Sequence, residues 1–169
     1  LVDVLGLRHI TFNIHGGTAG ILEEMERLGM TPSRQTKVNL PSRMRMATLY
    51  AVAQSVESGI VLNTSNLSED WVGYCTIYGD SAGAFSPLGM YTTEEVIALG
   101  RELGLPEKFL LKPPSDGLTG LTDEDNLGFS YHAVNEYIRT GRAAPEIRAQ
   151  IDQKHAASRF KFETMPLYH

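Results

Sequence analysis

The chain has few of the residues from which a cross-linked, metal-clustered or membrane-spanning protein is built. Cys75 is its only cysteine, which excludes an intrachain disulfide and a multi-cysteine metal site. The five histidines show no H-x-x-x-H or similar spacing, so no zinc site is predicted. No apolar run reaches the roughly 20 residues of a membrane-spanning helix, and no signal peptide is visible. These absences favour a cytoplasmic protein without a membrane partner.

Basic residues are also in deficit. The net charge of −5 leaves no positive excess to neutralise a phosphate backbone, so no nucleic-acid partner is expected. The rest is ordinary for a soluble globular protein, with 42% apolar and 21% charged residues. A length of 169 residues suits one domain, and we interpret residues 1–169 in that way. The chain begins at Leu1 without an initiating Met, and we expect the true amino terminus to lie upstream.

The order of elements predicts an α/β fold. The β-branched and aromatic run 8–14 predicts a strand that ends in the turn His15-Gly16-Gly17, and the apolar run 59–63 predicts a buried strand. Between them, apolar spacing predicts a helix after Thr18 and another over about 41–57, joined by a polar connector. Strand, helix, helix, strand at this spacing favours a parallel crossover sheet.

The second half of the chain reads differently. Thr92 and Glu95 form a capping-box signature for a helix that ends at Gly104. The following stretch is rich in Pro, Gly and Asp, which predicts a long loop before a helix over 131–140. The polar tail from residue 143 is expected to be helical in part.

Polar residues follow the second predicted strand, at the edge where parallel sheets bind ligands. In the segment 63–69, hydroxyls and backbone N–H groups could hold phosphate oxygens, and Glu69 could bind Mg²⁺. The alternative is that Ser65 or Asn66 merely caps a helix while Glu69 stabilises its first turn. The pattern alone favours that alternative.

Three further segments carry candidate binding residues. Arg43 and Arg45 could clamp phosphates, although such arginines are more often solvated or paired with surface acids. The loop 78–83 places Asp80 between glycines, where a ligand site and a plain turn are equally plausible. Ser115 and the acidic residues at 123–125 lie in the long loop, which could act as a lid or be a solvated acidic loop.

Several long strings, in fixed order, resemble NAD synthetases. They are NLPSRMRMATLY at 39–50, VLNTSNLSEDWVGYCTIYGDSAGAFSPLG at 61–89, KPPSDGLTGLTDEDNLGFSY at 112–131, and Phe160-Lys161 followed by Met165-Pro166. Such a series is far more specific than any single motif. The resemblance covers the carboxy-terminal two-thirds of the family's domain. It implies a parallel-sheet, adenine-nucleotide-hydrolase-like (Rossmann-like) α/β fold, incomplete at the amino terminus, and a homodimer.

The resemblance also implies a reaction. ATP adenylates the nicotinate carboxylate of deamido-NAD with release of diphosphate, and ammonia then displaces AMP to give NAD, with Mg²⁺ as cofactor. Six positions match binding residues of the family: Thr64 and Ser115 for ATP, Glu69 for the metal, and Arg43, Asp80 and Lys161 for deamido-NAD. The lysine is expected on a mobile tail. No catalytic residue is assigned.

The chain departs from the family in two places. The Ser-Gly-Gly-x-Asp-Ser pyrophosphate loop is absent, and Thr93 lies where many members carry a lysine that contacts the ATP phosphates. Two alternatives remain: the synthetase domain of a glutamine-dependent NAD synthetase, and a non-catalytic, dimerising nucleotide-binding module. Apolar residues are spread around the helix predicted at 41–56, and we expect that helix to form part of a subunit interface.

Overall fold

The structure, a computed structural model, describes residues 1–115 and 120–167. The chain divides into two compact units: Leu1–Asn63 with Tyr78–Phe85, and Thr64–Ile77 with Ser86–His169. Asp116 and Gly117 of the predicted lid, and the end of the predicted tail, lie outside the described residues. No helix in the described ranges is long and apolar enough to cross a membrane.

Helices dominate the first unit. They are α1 (Val2–Leu5), α2 (His15–Arg27) and α3 (Arg34–Gln54). Helix α2 packs closely on α3, because a Cβ atom at Gly17 would lie 2.6 Å from the Met44 Cε. A glycine at this position therefore allows the two helices to approach each other.

Both of these longer helices begin earlier than predicted. The predicted turn at His15-Gly16-Gly17 is wrong, since these residues form the first turn of α2. Helix α3 begins before Pro41, because the Ser33 hydroxyl accepts a hydrogen bond from the Thr36 N–H at 3.0 Å and caps the helix there. Pro41 consequently lies inside the helix, where its ring removes one backbone donor, and the polar connector is shorter than expected.

The two predicted strands do not form within the described residues. Residues 8–14 form neither helix nor strand, and Ile10 and Phe12 are 69% and 55% exposed. In the segment 59–63, Leu62 makes an isolated parallel bridge to Phe85. A strand requires a continuous partner backbone for its hydrogen bonds. The described ranges supply no such partner, and the predicted parallel sheet is not seen in them.

The second unit consists of short and medium helices. They are α4 (Leu67–Trp71), α5 (Thr93–Glu102), α6 (Glu107–Leu110), α7 (Asp123–Leu127), α8 (Tyr131–Thr140) and α9 (Pro145–Ser158), followed by a 3₁₀ turn at Arg159–Lys161. The predicted helices at α5 and α8 are confirmed, and α9 confirms a helical tail. The stretch predicted as one long loop instead contains α6 and α7, the latter capped by the Thr122 side chain.

An apolar core holds the second unit together. Its buried members are Val72, Leu127, Phe129, Tyr131, Val134 and Ile151. Val134 on α8 and Ile151 on α9 are fully buried. Removal of this apolar surface from water stabilises the unit. Val72, which directly follows α4, belongs to the same core. The short helix that carries Glu69 is therefore anchored at its carboxyl end.

Candidate functional site

Residues 64–69 lead into α4, and their polar groups close its first turn. The Asn66 side-chain oxygen accepts hydrogen bonds from the backbone N–H groups of Ser68 and Glu69, at 3.0 and 3.1 Å. In return, Glu69 Oε2 accepts from the Asn66 N–H at 3.2 Å. The capping interpretation of this segment is therefore confirmed. The Glu69 carboxylate closes the cap through Oε2.

The Glu69 carboxyl group lies in an unusual electrostatic environment. Burial raises its pKa to about 7, the Asn66 N–H opposes this rise, and the negative charges of Asp123 and Asp70 add to it. The nearby Tyr131 hydroxyl lies 3.4 Å from Asp123 Oδ2, and burial together with the charges of Glu69 and Asp123 raises the pKa of Tyr131. A half-buried carboxyl group among like charges favours a cation.

The carboxyl oxygens are of the kind that Mg²⁺ prefers. The described residues contain no group of three His, Cys, Asp or Glu side chains arranged to hold a metal. Mg²⁺ does not require one, because it is commonly bound by one or two carboxylates together with substrate phosphates and water. Glu69 fits that mode of binding as a single protein ligand.

Thr93 occupies the place where a phosphate-contacting lysine was expected, and it has a structural role. Its backbone N–H donates to Ser68 Oγ at 3.1 Å, and its hydroxyl lies 3.0 Å from Asn135 Nδ2. The Thr93 side chain thus joins α5 to α8.

The two predicted ATP contacts, Thr64 and Ser115, are both exposed. Ser115 follows Pro114, whose carbonyl oxygen accepts from the Asp123 N–H at 3.1 Å. The described hydrogen bonds do not link Thr64 or Ser115 to Glu69. Both hydroxyls are accessible to a ligand.

Lys161 lies in the 3₁₀ turn after α9, and its ammonium group contacts the backbone that follows α4. The Nζ atom donates to the carbonyl oxygens of Gly73 and Cys75, each at 2.7 Å. Gly73 also lies against Ser158 at the end of α9, so closely that a Cβ atom would overlap the serine side chain. The lysine expected on a mobile tail is, in this structure, bound to the second unit.

In the first unit, Asp80 lies in a loop that is fixed by two buried polar residues. The Ser42 hydroxyl donates to Asp80 Oδ1 at 2.6 Å and accepts from the Asp80 N–H at 3.0 Å. Asn63 Nδ2 donates to the Asp80 carbonyl oxygen at 2.8 Å. Gly83 in the same loop lies so near Asn63 that a Cβ atom would be 2.5 Å from its backbone nitrogen. The two interpretations of this loop, a plain turn and a ligand site, are thus compatible, because the hydrogen-bonded turn leaves Asp80 exposed.

Arg43 is the immediate neighbour of Ser42 on α3, and it is half-buried. The structure therefore places Arg43 and Asp80, both predicted to bind the dinucleotide, in one unit, and Asp80 is bonded to the residue before Arg43. Tyr78, which precedes the Asp80 turn, has a left-handed backbone with φ of 58° and is 57% exposed. Such strain in a non-glycine residue is characteristic of functional loops.

Comparisons with known proteins identify one family. The model of the NAD synthase family matches residues 1–165. An NH3-dependent NAD+ synthetase from Syntrophomonas wolfei is 41% identical over 130 residues, which cover 76% of this chain and 52% of that protein. The chain thus spans about half the length of that curated relative.

Two solved structures share the fold over 99% of the chain. One, described as an NMN synthetase from Francisella tularensis, has a TM-score of 0.91 at 30% identity, and 69% of it is covered. The other, an NH3-dependent NAD synthetase from Campylobacter jejuni in complex with nitrate, has a TM-score of 0.75 at 27% identity, again with 69% covered.

Proposed function

Because the chain belongs to the NAD synthase family, we propose that it takes part in the ATP-dependent amidation of deamido-NAD to NAD with ammonia. In this reaction ATP would first adenylate the nicotinate carboxylate and release diphosphate, and ammonia would then displace AMP. A free carboxylate is a poor electrophile, and adenylation converts its oxygen into a good leaving group. The observation that supports the proposal is the Asp80 turn, which hydrogen bonds from Ser42 and Asn63 hold with Asp80 exposed, in the same unit as Arg43.

Arg43 and Asp80 would bind complementary parts of the dinucleotide. A guanidinium group binds a phosphate through two parallel N–H donors. A carboxylate accepts hydrogen bonds from ribose hydroxyls or from an amide. The bonds from Ser42 and Asn63 hold the Asp80 turn before any ligand arrives, which reduces the entropy lost on binding.

The ATP and metal contacts would come from the second unit. Thr64 and Ser115 would donate hydroxyl hydrogens to phosphate oxygens, and Glu69 would hold Mg²⁺ through its carboxylate. When bound, the ion would offset the charge of the departing diphosphate. The half-buried position of Glu69 and its raised pKa of about 7 support a cation there, because a positive charge would relieve the repulsion from Asp123.

Further features of the family are part of the proposal. A parallel, adenine-nucleotide-hydrolase-like sheet is supported by the parallel bridge between Leu62 and Phe85. A homodimer through α3 is supported by the exposure of that helix. Among the described residues of α3, Ser42 is the buried one, and the apolar Leu49 is 54% exposed. We also propose a cytoplasmic location, where ATP and the dinucleotide are available.

Ammonia is proposed as the amide donor because the Syntrophomonas wolfei and Campylobacter jejuni relatives are both described as NH3-dependent. A second candidate substrate is nicotinate mononucleotide. The high similarity to a structure described as an NMN synthetase favours it. The two substrates share the nicotinate carboxylate and differ by the adenylate half, so direct comparison of their affinities distinguishes them.

The test is isothermal titration of the purified chain with deamido-NAD and, separately, with nicotinate mononucleotide. Binding of deamido-NAD is expected, and Arg43→Ala should weaken it about 10-fold or more, as loss of a charge-assisted pair requires. Lys37→Ala is the matched control on the same helix, because Lys37 is an exposed cation outside the candidate binding residues and its loss should leave the affinity unchanged.

Binding of neither nucleotide would reject the proposed function for this chain. Tighter binding of the mononucleotide would select the second candidate. Turnover is not the readout, because the sequence lacks the Ser-Gly-Gly-x-Asp-Ser loop that supplies backbone donors to diphosphate, and loss of one such donor commonly costs about 10²-fold in rate.

A further inference from the structure

Asn135 on α8 lies in a closed ring of hydrogen bonds with Ser68 and Thr93. The Thr93 N–H donates to Ser68 Oγ at 3.1 Å, and Ser68 Oγ donates to Asn135 Oδ1 at 2.6 Å. Asn135 Nδ2 then donates to the Thr93 hydroxyl oxygen at 3.0 Å. The Thr93 hydroxyl also lies 3.2 Å from Asn135 Oδ1, and the ring adds polar contacts between α4, α5 and α8 to those of the apolar core.

Two of the three residues of the ring are buried, and Thr93 is half-buried. Asn135 is 3% exposed and Ser68 is 0% exposed. Buried polar groups cost free energy unless they are fully hydrogen-bonded, and a satisfied buried network fixes one geometry. An apolar side chain at Asn135 would fill the same space without this cost. The presence of the ring therefore indicates a requirement for position in addition to packing.

The residue that the ring fixes is the neighbour of Glu69. Ser68 is bonded on its side chain by the ring and on its backbone by the Asn66 cap. The same Asn66 oxygen accepts from the Glu69 N–H, and the Asn66 N–H donates to the Glu69 carboxylate. Displacement of Ser68 would therefore disturb both hydrogen bonds between Asn66 and Glu69.

We propose that Asn135 is a positioning residue that holds the first turn of α4 and so directs the Glu69 carboxylate toward a bound cation. The inference rests on the proposed function for the identity of the cation, and its geometric part stands on the ring. It also accounts for Thr93, whose hydroxyl and backbone N–H complete the ring in place of a phosphate-binding side chain.

The first test measures amide hydrogen exchange in the ligand-free chain. In Asn135→Leu, which keeps the number and branching of the side-chain heavy atoms and removes the polar contacts, the Ser68 and Glu69 amides should exchange about 10-fold faster relative to amides in α9, as local opening predicts. Ser130→Ala is the matched control, because it removes the amino-terminal cap of the same helix α8 without touching the ring. Wild-type exchange at Ser68 and Glu69 in Asn135→Leu would overturn the inference.

A second pair of variants guards against misfolding of Asn135→Leu. Thr93→Val keeps the side-chain shape and removes the hydroxyl, whereas Thr93→Ser keeps the hydroxyl. Faster Ser68 and Glu69 exchange is expected in Thr93→Val and not in Thr93→Ser. Equal exchange in the two variants would contradict the ring.

The cation is tested by titration with ATP in the presence and absence of Mg²⁺. Asn135→Leu should lose about 10-fold of the gain in ATP affinity that Mg²⁺ provides, the typical effect of removing a residue that orients a metal ligand, and keep its metal-free affinity. A purely structural role would lower both affinities equally and would overturn the inference. If the wild-type chain shows no Mg²⁺-dependent gain, the proposed metal role fails, while amide exchange still decides whether Asn135 fixes α4.

Discussion

His155 stacks on Trp71, with ring centroids 4.4 Å apart and ring planes inclined by 21°. Its Nδ1 atom also lies 2.8 Å from the Trp71 carbonyl oxygen. Because a carbonyl only accepts, the Nδ1 atom carries the proton in this pair. One side chain of α9 thus holds both the ring and the backbone of the residue at the end of α4.

His155→Ala should lower the free energy of unfolding by about 2 kcal/mol, since it removes a ring stack and a hydrogen bond together. His155→Phe keeps the stack and should lose about half as much. Urea titration followed by circular dichroism measures both. His132→Ala is the control, because His132 is exposed and pairs with the exposed Glu94, a contact worth about 0 to 1 kcal/mol. Equal losses in His155→Ala and His132→Ala would contradict the prediction.

Gly73→Ala should be among the most destabilising small substitutions in the second unit. Gly73 has a left-handed backbone with φ of 66°, and a Cβ atom there would overlap Ser158. The backbone costs an alanine about 1 to 2 kcal/mol, and the overlap adds about 1 to 3 kcal/mol. Gly141→Ala is a matched control, since its φ is 72° and nothing lies within 4 Å of its Cβ position.

Thermal unfolding of the two glycine variants separates backbone strain from overlap. Gly141→Ala should show the backbone cost alone. In a Ser158→Gly background, the penalty of Gly73→Ala should fall toward that of Gly141→Ala. A penalty that persists in this background would show that the contact with Ser158 is not its cause.

Local signals predicted α5, α8 and a helical tail in the second unit, whereas α6 and α7 were predicted as loop. The Thr92 and Glu95 capping box lies within one turn of chain, and its hydrogen bonds form as the sequence indicates. In the first unit the two predicted strands failed because they depended on distant partners. The run 8–14 has the composition of a strand, but strand formation requires another backbone beside it. The early start of α3 was missed because the Ser33 cap outweighed the proline signal.

The candidate site shows the same division. The segment around Glu69 was found because it follows an apolar run. The residues that support the site were missed: Asn135 is 67 positions from Ser68, and Ser42 is 38 positions from Asp80. No spacing rule connects residues so far apart, since their contact is decided by helix packing. The sequence signal for Asn135 was its place on the apolar face of an amphipathic helix.

Glu95 should make a pH-dependent contribution to stability. Arg139 donates to its two carboxylate oxygens at 2.9 and 2.6 Å, and with the Thr92 N–H it lowers the pKa of Glu95 to about 2. A carboxyl group with a lowered pKa stabilises the fold above its unfolded pKa of about 4.3, and the contribution is lost as pH falls toward 2. Solvent screens this exposed pair, so the effect should be about 1 kcal/mol or less.

Urea titrations of wild type and Glu95→Gln at several pH values between 5 and 2 check this prediction. The stability difference between them should shrink as pH falls. In an Arg139→Gln background, Glu95→Gln should have a weaker dependence on pH. A difference that is constant with pH would contradict the assignment of the lowered pKa to Glu95.

Lys161 should act as a latch between the carboxy-terminal segment and the chain that follows α4. Its ammonium group donates to the carbonyl oxygens of Gly73 and Cys75, and the group is half-buried. Hydrogen bonds of a charged donor contribute about 1.5 to 3 kcal/mol each when their loss leaves acceptors unpaired. Solvent can reach part of this site, so we expect Lys161→Met, which keeps the apolar stem, to lose about 2 kcal/mol in total.

Lys154→Met on α9 provides the control, because no hydrogen bond of the Lys154 ammonium group is found in the described part of the chain, and its loss should be below about 0.5 kcal/mol. Urea titration of both variants gives the latch energy, and equal stabilities would contradict the latch.

The dinucleotide role implied for Lys161 by family resemblance is measured separately, by titration of both variants with deamido-NAD. To contact a dinucleotide, the ammonium group must exchange two carbonyl acceptors for the ligand, so the latch opposes binding in wild type. Lys161→Met should therefore weaken deamido-NAD binding by less than Arg43→Ala does, and an equal or larger loss would show that the ammonium group is not held by the carbonyls in solution.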